Sequence, residues 1–299
     1  MKSTTLRRAG LTIAAVTVLS AVTGCSSGDS GGSEGSKGSG KDGAARFSPL
    51  AALRSAEKST DAADSAKVES STTMGSVMSM TADGALGWGD GLTGTLTITY
   101  TGGTMAETMR QTGSTSMEAR YLPDAYYAKM GDAFAAQAGG KHWIKYAYDD
   151  LESLAGGSGA YLKDQMQNTT PNQSVKLLLA SGDVRKVGEE KVRGQQTTHY
   201  SGTVDVADLA SKNSNLSQKQ LDDLKKQLDQ AGVTTETVDI WVNDDDLLVK
   251  KVEKGETTAG AFTQTAYYSD YGTPVSAEEP PASDTADFAD LVQQQGGTS

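Results

Sequence analysis

The residue with the clearest chemistry is Cys25, the only cysteine of the chain. Its thiol directly follows the small residues at 22–24 (VTG), and the four together match a bacterial lipobox. In a lipobox the cysteine is acylated and becomes the new N-terminus. A single cysteine also excludes internal disulfides and cysteine-based zinc clusters. The sequence therefore predicts that lipidated Cys25 attaches the protein to a membrane.

The segment before this cysteine has the three parts of a secretory signal. Lys2, Arg7 and Arg8 are positively charged, an apolar run follows at 11–22, and small residues end the segment. The apolar run is too short to span a bilayer. An ordinary signal peptide with a chance cysteine is the alternative interpretation. We expect residues 1–24 to be removed, which leaves the mature chain lipid-anchored on the extracytoplasmic face of the cell membrane.

Two glycine motifs match functional patterns but lack the structural context that those patterns need. Residues 31–35 fit G-x-S-x-G, which requires a strand before it and a helix after it, yet they lie in low-complexity sequence. Residues 89–94 fit G-x-G-x-x-G, but a threonine-alternating strand follows where a dinucleotide site needs a helix. We interpret the first as compositional chance and the second as a hairpin turn.

The polar residues that could hold a metal or perform acid–base catalysis are few. His142 and His199 are the only histidines, and neither has a cysteine or a second histidine nearby, so we interpret both as structural or surface groups. The acidic run 244–246 lacks the spaced ligands and the later glutamate of a calcium loop, which favours a hairpin turn. The sequence predicts no catalytic residues, no metal, no cofactor and no enzyme, and a hydrolase is the least favoured alternative.

Composition divides the chain into four parts. After the signal at 1–24, residues 25–45 combine the lipidated cysteine with a Gly/Ser-rich tether that is predicted to be disordered. Residues 46–273 are predicted to form a single domain, and 274–299 an acidic flexible tail. The net charge of −11 argues against binding to nucleic acid, whose phosphates require clustered Lys and Arg.

The domain begins with a long stretch of alternating residues from Val68 to Met130. Apolar and polar residues change places with a period of two, including the run 104–110, which is typical of strands with one buried face. Short connections favour an antiparallel meander. A layer of short helices is predicted between 131 and 181. The best-marked helices are predicted at Ser48–Asp64, 171–181 and 217–231.

Methionine dominates the apolar side of this meander. Seven of the nine methionines lie between Met74 and Met130. The methionine side chain is flexible and polarizable, so it fills irregular cores and also lines adaptable binding surfaces. Both a packed core and a wall for an acyl chain fit the pattern. The residues predicted to form this wall are Met74, Met78, Met80, Leu96, Ile98, Met105, Met109, Met117, Tyr121 and Tyr126.

A family resemblance follows from this order of elements together with four short segments. These are Val187-Gly188 with the sequence GQQTTHY at 194–200, and Val238–Val242 leading into Leu248–Lys251. The chain resembles the actinobacterial LppX/LprAFG lipoproteins and, more distantly, LolA and LolB. The resemblance implies an α+β fold, in which a curved antiparallel sheet forms a half-barrel and helices cover its concave face.

That resemblance implies a function as well. Members of this family hold the acyl chains of lipids or lipoglycans in the cavity between sheet and helices, so a monomeric, non-enzymatic lipid carrier is expected. The alternative is a surface-tethered interaction or sensor module, in which the same apolar face is a filled core. Periodicity does not distinguish a packed face from a lined cavity.

Overall fold

The structure, a computed structural model, forms one large sheet flanked by helices. The predicted signal 1–24, Cys25, the tether 25–45 and most of the predicted helix 217–231 lie outside the residues that it describes. The described residues are 48–111, 113–151, 163, 166–167, 169–205, 225–226, 228–230 and 232–296.

Twelve strands make up the sheet, in the order β12-β6-β5-β4-β3-β2-β1-β11-β10-β9-β8-β7. All neighbours are antiparallel except β12, which runs parallel to β6. The strands are β1 (Ser65–Met74), β2 (Met78–Gly87), β3 (Thr93–Gly102), β4 (Ser116–Tyr121), β5 (Ala125–Lys129), β6 (Trp143–Ala147), β7 (Arg185–Val192), β8 (Gln195–Asp205), β9 (Thr235–Asn243), β10 (Leu248–Thr257), β11 (Gly260–Ser269) and β12 (Thr285–Asp287).

Five helices have defined bounds among the described residues, and residues 148–151 are also helical. The helices are α1 (Pro49–Ala62), α2 (Gly103–Gln111), α3 (Asp132–Ala135), α4 (Pro171–Ser181) and α5 (Phe288–Gly296). Both α1 and α4 begin with proline at the first position, where its missing N–H costs no helical hydrogen bond. The predicted helices at Ser48–Asp64 and 171–181 are thereby confirmed.

Helix α4 lies on β8, β9 and β10 and also packs against α1. Its close approach to β8 depends on Gly202, because a Cβ there would come within 2.7 Å of Leu178 Cδ1. The fully buried side chains of Val175 and Leu178 enter the main core. We call the side of the sheet that faces α1 and α4 the inner face.

The sheet curves around these helices. Tyr121 on β4 and Tyr200 on β8 belong to the same core cluster, together with Leu53 of α1 and Leu178 of α4. These two strands are seven positions apart in the sheet, and residues of the strands between them, such as Val68 and Ala266, belong to the same cluster. One core therefore runs along the inner face beneath the helices. The predicted fold class, α+β with a curved antiparallel sheet and helices on its concave face, is confirmed.

The structure corrects the prediction of a strand over 104–110, because this run forms helix α2. Gly103, at φ +80°, turns the chain, and the N–H groups of Thr104 and Met105 then donate to the carbonyls of Ser76 and Val77. Residues four apart lie on one side of a helix and also on one side of a strand. The spacing of Met105 and Met109 therefore could not distinguish a helix from a strand.

A second correction concerns the alternation from Val68 to Met80, which the sequence presents as one continuous run. The structure divides it into β1 and β2 with a turn at Gly75 (φ +46°). Met74 pairs directly with Met78 across this turn. The turn keeps the even-numbered residues on one face. The predicted inner face of this run is therefore correct, although the run forms two strands and not one.

The third difference is at the C-terminus, where 274–299 was predicted to be a flexible acidic tail. The structure places Thr285–Asp287 as β12 beside β6, and α5 follows. Arg120 donates to the carbonyl oxygen of Glu278 at 2.9 Å, and Pro280 is buried. A three-residue strand is too short to show a period, so it could not be recognised from periodicity. Strand β6 likewise lies within the region predicted to be helical.

Candidate functional site

Eight of the ten predicted wall residues lie on the inner face in cross-strand register. The pairs Met74–Met78, Ile98–Met117 and Tyr121–Tyr126 join neighbouring strands from β1 to β5. Directly opposed side chains on one face are close enough to pack together. The remaining members of this group are Met80, which is paired with Tyr100, and Leu96, which is paired with Ala119.

The other two wall residues reach the same region from a helix. Met105 and Met109 belong to α2, which packs on β2 and β3. Four of the ten, Met78, Leu96, Met109 and Tyr121, are buried. The other six are half-buried, and none is exposed. We call these ten residues the methionine wall. Their role as a ligand surface stays a prediction.

Aromatic residues continue this wall towards β6. Tyr126 lies between Tyr121 and Tyr146, with ring centroids 5.1 and 5.7 Å away, and Phe288 of α5 follows Tyr146 at 4.7 Å. Burial, with a smaller contribution from Tyr100, raises the pKa of Tyr121 to about 12. This end of the inner face is therefore dry and aromatic. The buried hydroxyl of Tyr148, just beyond β6, has no hydrogen-bond partner among the residues that the structure describes.

A hollow of about 630 Å³ opens at the end of β3 beside α2, and its lining is mixed polar and apolar. It contains none of the ten residues of the methionine wall. Its lining is formed by Thr99, Tyr100, Thr101, Arg110, Gly113, Ser114 and Thr115. Tyr100 connects the hollow with the methionine wall, because it lines the hollow and pairs with Met80 on the inner face.

A buried charged cluster lies on the inner face beneath α4. The Nζ of Lys251 donates to both carboxylate oxygens of Glu253 at 3.0 Å, and the Ser174 hydroxyl donates to Oε1 of Glu253 at 2.7 Å. Glu253 is 0% and Lys251 6% exposed. A buried ion pair of this kind depends on both partners, because either charge alone would remain desolvated.

Glu236 adds a second carboxyl to this cluster. It is 5% exposed, and within the described part of the chain its Oε1 has no hydrogen-bond partner. Burial, reinforced by the negative charge of Glu253 and opposed by Lys251, raises the pKa of Glu236 well above its ordinary value. The carboxyl is thus favoured in its neutral form, in which it can donate one hydrogen bond and accept others.

The sequence contained a signal for this cluster that the sequence analysis missed. Glu236 shares the even-numbered phase of Val238 and Ile240, and strand periodicity places all three on one face. Lys251 and Glu253 similarly alternate with Val252, whose side chain lies on the opposite side of the sheet. A charged residue on the apolar phase of a strand marks a buried polar site.

The two histidines have structural roles, as predicted. His142 Nδ1 lies 2.7 Å from Asp284 Oδ1, and its backbone N–H donates to the same oxygen, which ties the C-terminal segment to β6. His199 stacks on Trp241 with centroids 4.1 Å apart and lies 2.9 Å from Asp239 Oδ1.

The two predicted hairpin turns are confirmed as well. Of the motif at 89–94, residues 89–92 lie in the turn that joins the antiparallel strands β2 and β3, and Thr93 and Gly94 begin β3. The acidic run 244–246 joins β9 and β10, where Asn243 Oδ1 accepts from the N–H groups of Asp245 and Leu247.

Within the described residues, no group of three or more His, Cys, Asp or Glu side chains is placed to hold a metal ion. No helix in that part of the chain is long and apolar enough to cross a membrane.

Two curated proteins are close to this chain in sequence. The "Putative lipoprotein SCO4650" of Streptomyces coelicolor is 54% identical over 311 aligned positions, which cover 99% of this chain and all of that protein. The "Uncharacterized 31.2 kDa protein in rplA-rplJ intergenic region" of Streptomyces griseus is 61% identical over 254 residues, which cover 85% of this chain and 83% of that protein. No family model matches the chain.

Solved structures that match include lipoproteins of the type that the sequence resembles. LppX of Mycobacterium tuberculosis has 17% identity and a TM-score of 0.47, and the match covers 80% of this chain and 100% of LppX. LprF of Mycobacterium bovis has 15% identity and a TM-score of 0.46, with 78% and 97% covered. At these sequence identities and TM-scores, the likeness says nothing about a ligand or a partner.

Proposed function

This chain belongs to a family of Streptomyces lipoproteins, and we propose that it binds the acyl chains of a lipid along the methionine wall while lipidated Cys25 anchors it to the outer face of the cell membrane. The observation that carries the proposal is the strip of half-buried apolar side chains, in cross-strand register, on the inner face from β1 to β5. The function is binding or carriage of lipid rather than catalysis.

Half-burial is the property that suits these side chains to a ligand. A residue such as Ile98, Met80 or Met117 still has apolar area to remove from water, at about 25 cal/mol per Å². Methionine adapts its shape to whatever covers it, which fits acyl chains of varying length and saturation. By contrast, the fully buried Ile240 on β9 has no area left to offer.

The anchor and the net charge support the same placement. Cys25 lies outside the described residues, and its lipidation remains a proposal from the lipobox sequence. The strong negative charge of the chain opposes adsorption to anionic lipid heads. The covalent lipid would therefore hold the domain near the bilayer, and a bound lipid would enter through its apolar chains.

A matched pair of substitutions on β3 tests the proposal. Ile98 points to the inner face, whereas its neighbour Thr97 is exposed on the other face and is paired with Asp83 and Glu118. We expect Ile98→Lys to abolish the uptake of palmitate by the full-length protein, because a charge on the wall cannot be covered by an acyl chain. Thr97→Lys adds the same charge and should bind palmitate as the unaltered protein does. Native mass spectrometry in detergent micelles measures both.

The outcomes separate lipid binding from the filled-core alternative. A ligand-free mass for the unaltered protein, with no uptake of added palmitate, would contradict lipid binding and favour an interaction module with a packed core. Equal uptake by the two lysine variants would place any lipid away from the methionine wall. Circular dichroism of both variants checks that neither has unfolded.

A further inference from the structure

The buried cluster and the methionine wall are connected by one row of side chains across the inner face. In this row Glu236 pairs with Gly255, Gly255 with Phe262, Phe262 with Met74, and Met74 with Met78. Neighbouring strands lie about 4.8 Å apart, so the row from Glu236 to Met78 spans roughly 19 Å. This length matches an extended acyl chain, with a polar group at one end only.

The second position of this row, Gly255, has no side chain, and a Cβ built there would make a close contact of 3.3 Å with the carbonyl oxygen of Thr235. Gly255, Phe262 and Met74 are all half-buried, while Glu236 beside them is buried. The row therefore combines half-buried apolar residues with a buried carboxyl at one end.

Glu236 brings an unsatisfied hydrogen-bonding group to the end of this row. Its Oε1 is buried and has no hydrogen-bond partner among the described residues, which is costly, because buried polar atoms are nearly always paired. The other polar groups of the cluster are already engaged: Lys251 and Ser174 both donate to Glu253. Only a group that comes from outside this network can satisfy Glu236 Oε1 without disrupting the network.

The charges of the buried cluster indicate what kind of outside group could pair with Glu236. An anionic head would meet two carboxyls and a single ammonium, Lys251, that is already paired with Glu253. Burial also raises the pKa of Glu236, so its neutral carboxyl suits an uncharged partner that both donates and accepts. A hydroxyl group has these properties, and a phosphate does not.

We propose that Glu236 hydrogen-bonds the free hydroxyl of an uncharged glycerolipid, such as a diacylglycerol, whose acyl chains lie over the half-buried Phe262 and Met74. This inference rests on the proposed function, because it assigns a head-group site to the lipid that the methionine wall binds. It selects for lipids with an uncharged hydroxyl and against those with a phosphate.

The test compares lipids that differ only at the head. Full-length protein is incubated with dioleoylglycerol, with its O-acetyl ester, or with dioleoyl phosphatidic acid, and binding is measured by native mass spectrometry in detergent micelles. We expect dioleoylglycerol to bind about tenfold more tightly than the ester, as one buried hydrogen bond predicts. Phosphatidic acid should bind more weakly than either.

Two substitutions assign the preference to Glu236. Glu236→Leu removes the hydrogen bond and should bind dioleoylglycerol and its ester equally. Glu236→Gln keeps one donor and one acceptor at the same place and should preserve most of the preference. Circular dichroism establishes that both variants are folded.

Three results would overturn the inference. The first is equal binding of dioleoylglycerol and its ester by the unaltered protein, and the second is a full preference retained by Glu236→Leu. The third is phosphatidic acid as the tightest ligand. In each case acyl chains still bind, so the proposed function stands. Failure of every lipid to bind overturns the proposed function and this inference together.

Discussion

The two halves of the inner face have the same alternating pattern and different burial. Beneath α4, the strands from β8 to β10 contribute Val238, Ile240 and Leu248, all 0% exposed. Across the sheet, from β1 to β5, most of the methionine wall is half-buried. Among the described helices, α4 lies on the first half, and α2 packs on β2 and β3 of the second.

This contrast shows what an apolar strand pattern does and does not mean. In the half under α4, the pattern marks a packed core that also contains the Lys251–Glu253 ion pair. In the methionine half, the same pattern marks a surface with area still to cover. Four predictions test whether the difference is energetic as well as geometric.

The largest expected effect is in the helix-covered half. Lys251→Met should lower the free energy of unfolding by about 3–5 kcal/mol, because it leaves the Glu253 carboxylate buried without its counter-ion. Adding Glu253→Leu should restore much of that loss, since no buried charge then remains. Urea unfolding measures both variants.

The adjacent Lys250→Met is the matched control for this prediction. Lys250 lies on the other face of β10, where its ammonium is 4.0 Å from the centre of the Trp241 ring. The expected cost of removing it is below about 1 kcal/mol, as for a solvated cation–π contact. Equal losses for Lys250→Met and Lys251→Met would mean that the cluster is not effectively buried.

An identical substitution in each half gives the most direct comparison. Ile240→Ala should cost about 2–5 kcal/mol of unfolding free energy, because the side chain is fully buried under α4. Ile98→Ala removes the same atoms from the half-buried wall and should cost about 1 kcal/mol. If the two losses were equal, the wall would be as tightly packed as the core, which would support the filled-core alternative.

The third prediction concerns pH and Glu236. Its folded-state pKa is raised, so above the ordinary value of 4.5 the folded protein holds a proton that the unfolded chain releases. Through this group, stability therefore falls as pH rises from that value towards the folded pKa, by up to about 1.4 kcal/mol per pH unit. Glu236→Gln should remove this component, and urea unfolding across the pH range compares the two proteins. Parallel pH profiles would contradict it.

The smallest effect is expected at the margin of the methionine half, where the C-terminal segment attaches. Asp284→Asn weakens the contact with His142, and this half-buried pair near the surface contributes little to global stability. We expect faster amide hydrogen exchange at Thr285–Asp287 with no change in β9 or in the melting temperature. A lowered melting temperature would show that β12 belongs to the same cooperative unit as the core.

Much of the fold follows from the sequence because the signals are local. Proline at the start of α1 and α4 and glycine after α4 set the ends of these helices, and threonine alternation marks β3. Helix α2 was not predicted, because the spacing of Met105 and Met109 fits a strand as well as a helix. Strand β12 was not predicted because three residues show no period, and its place depends on the contact between His142 and Asp284.

The candidate site was also predictable only in part. The period of two correctly placed eight of the ten wall residues on one face, since facing within a strand is a local property. The buried cluster around Glu253 could not be foreseen, because Glu236 lies on another strand, and Ser174 comes from a helix 79 residues before Glu253 along the chain.

By itself the sequence determined the lipobox at Cys25, the antiparallel class of the sheet and the inner facing of Met74, Met78, Ile98 and Met117, because each depends on near neighbours along the chain. Only the tertiary structure decided that α4 covers β8 to β10, and that Glu236 Oε1, at the end of the row leading to Met78, is buried with no partner in the described part of the chain. Burial depends on which distant elements meet, and the spacing of residues within one strand does not contain that information.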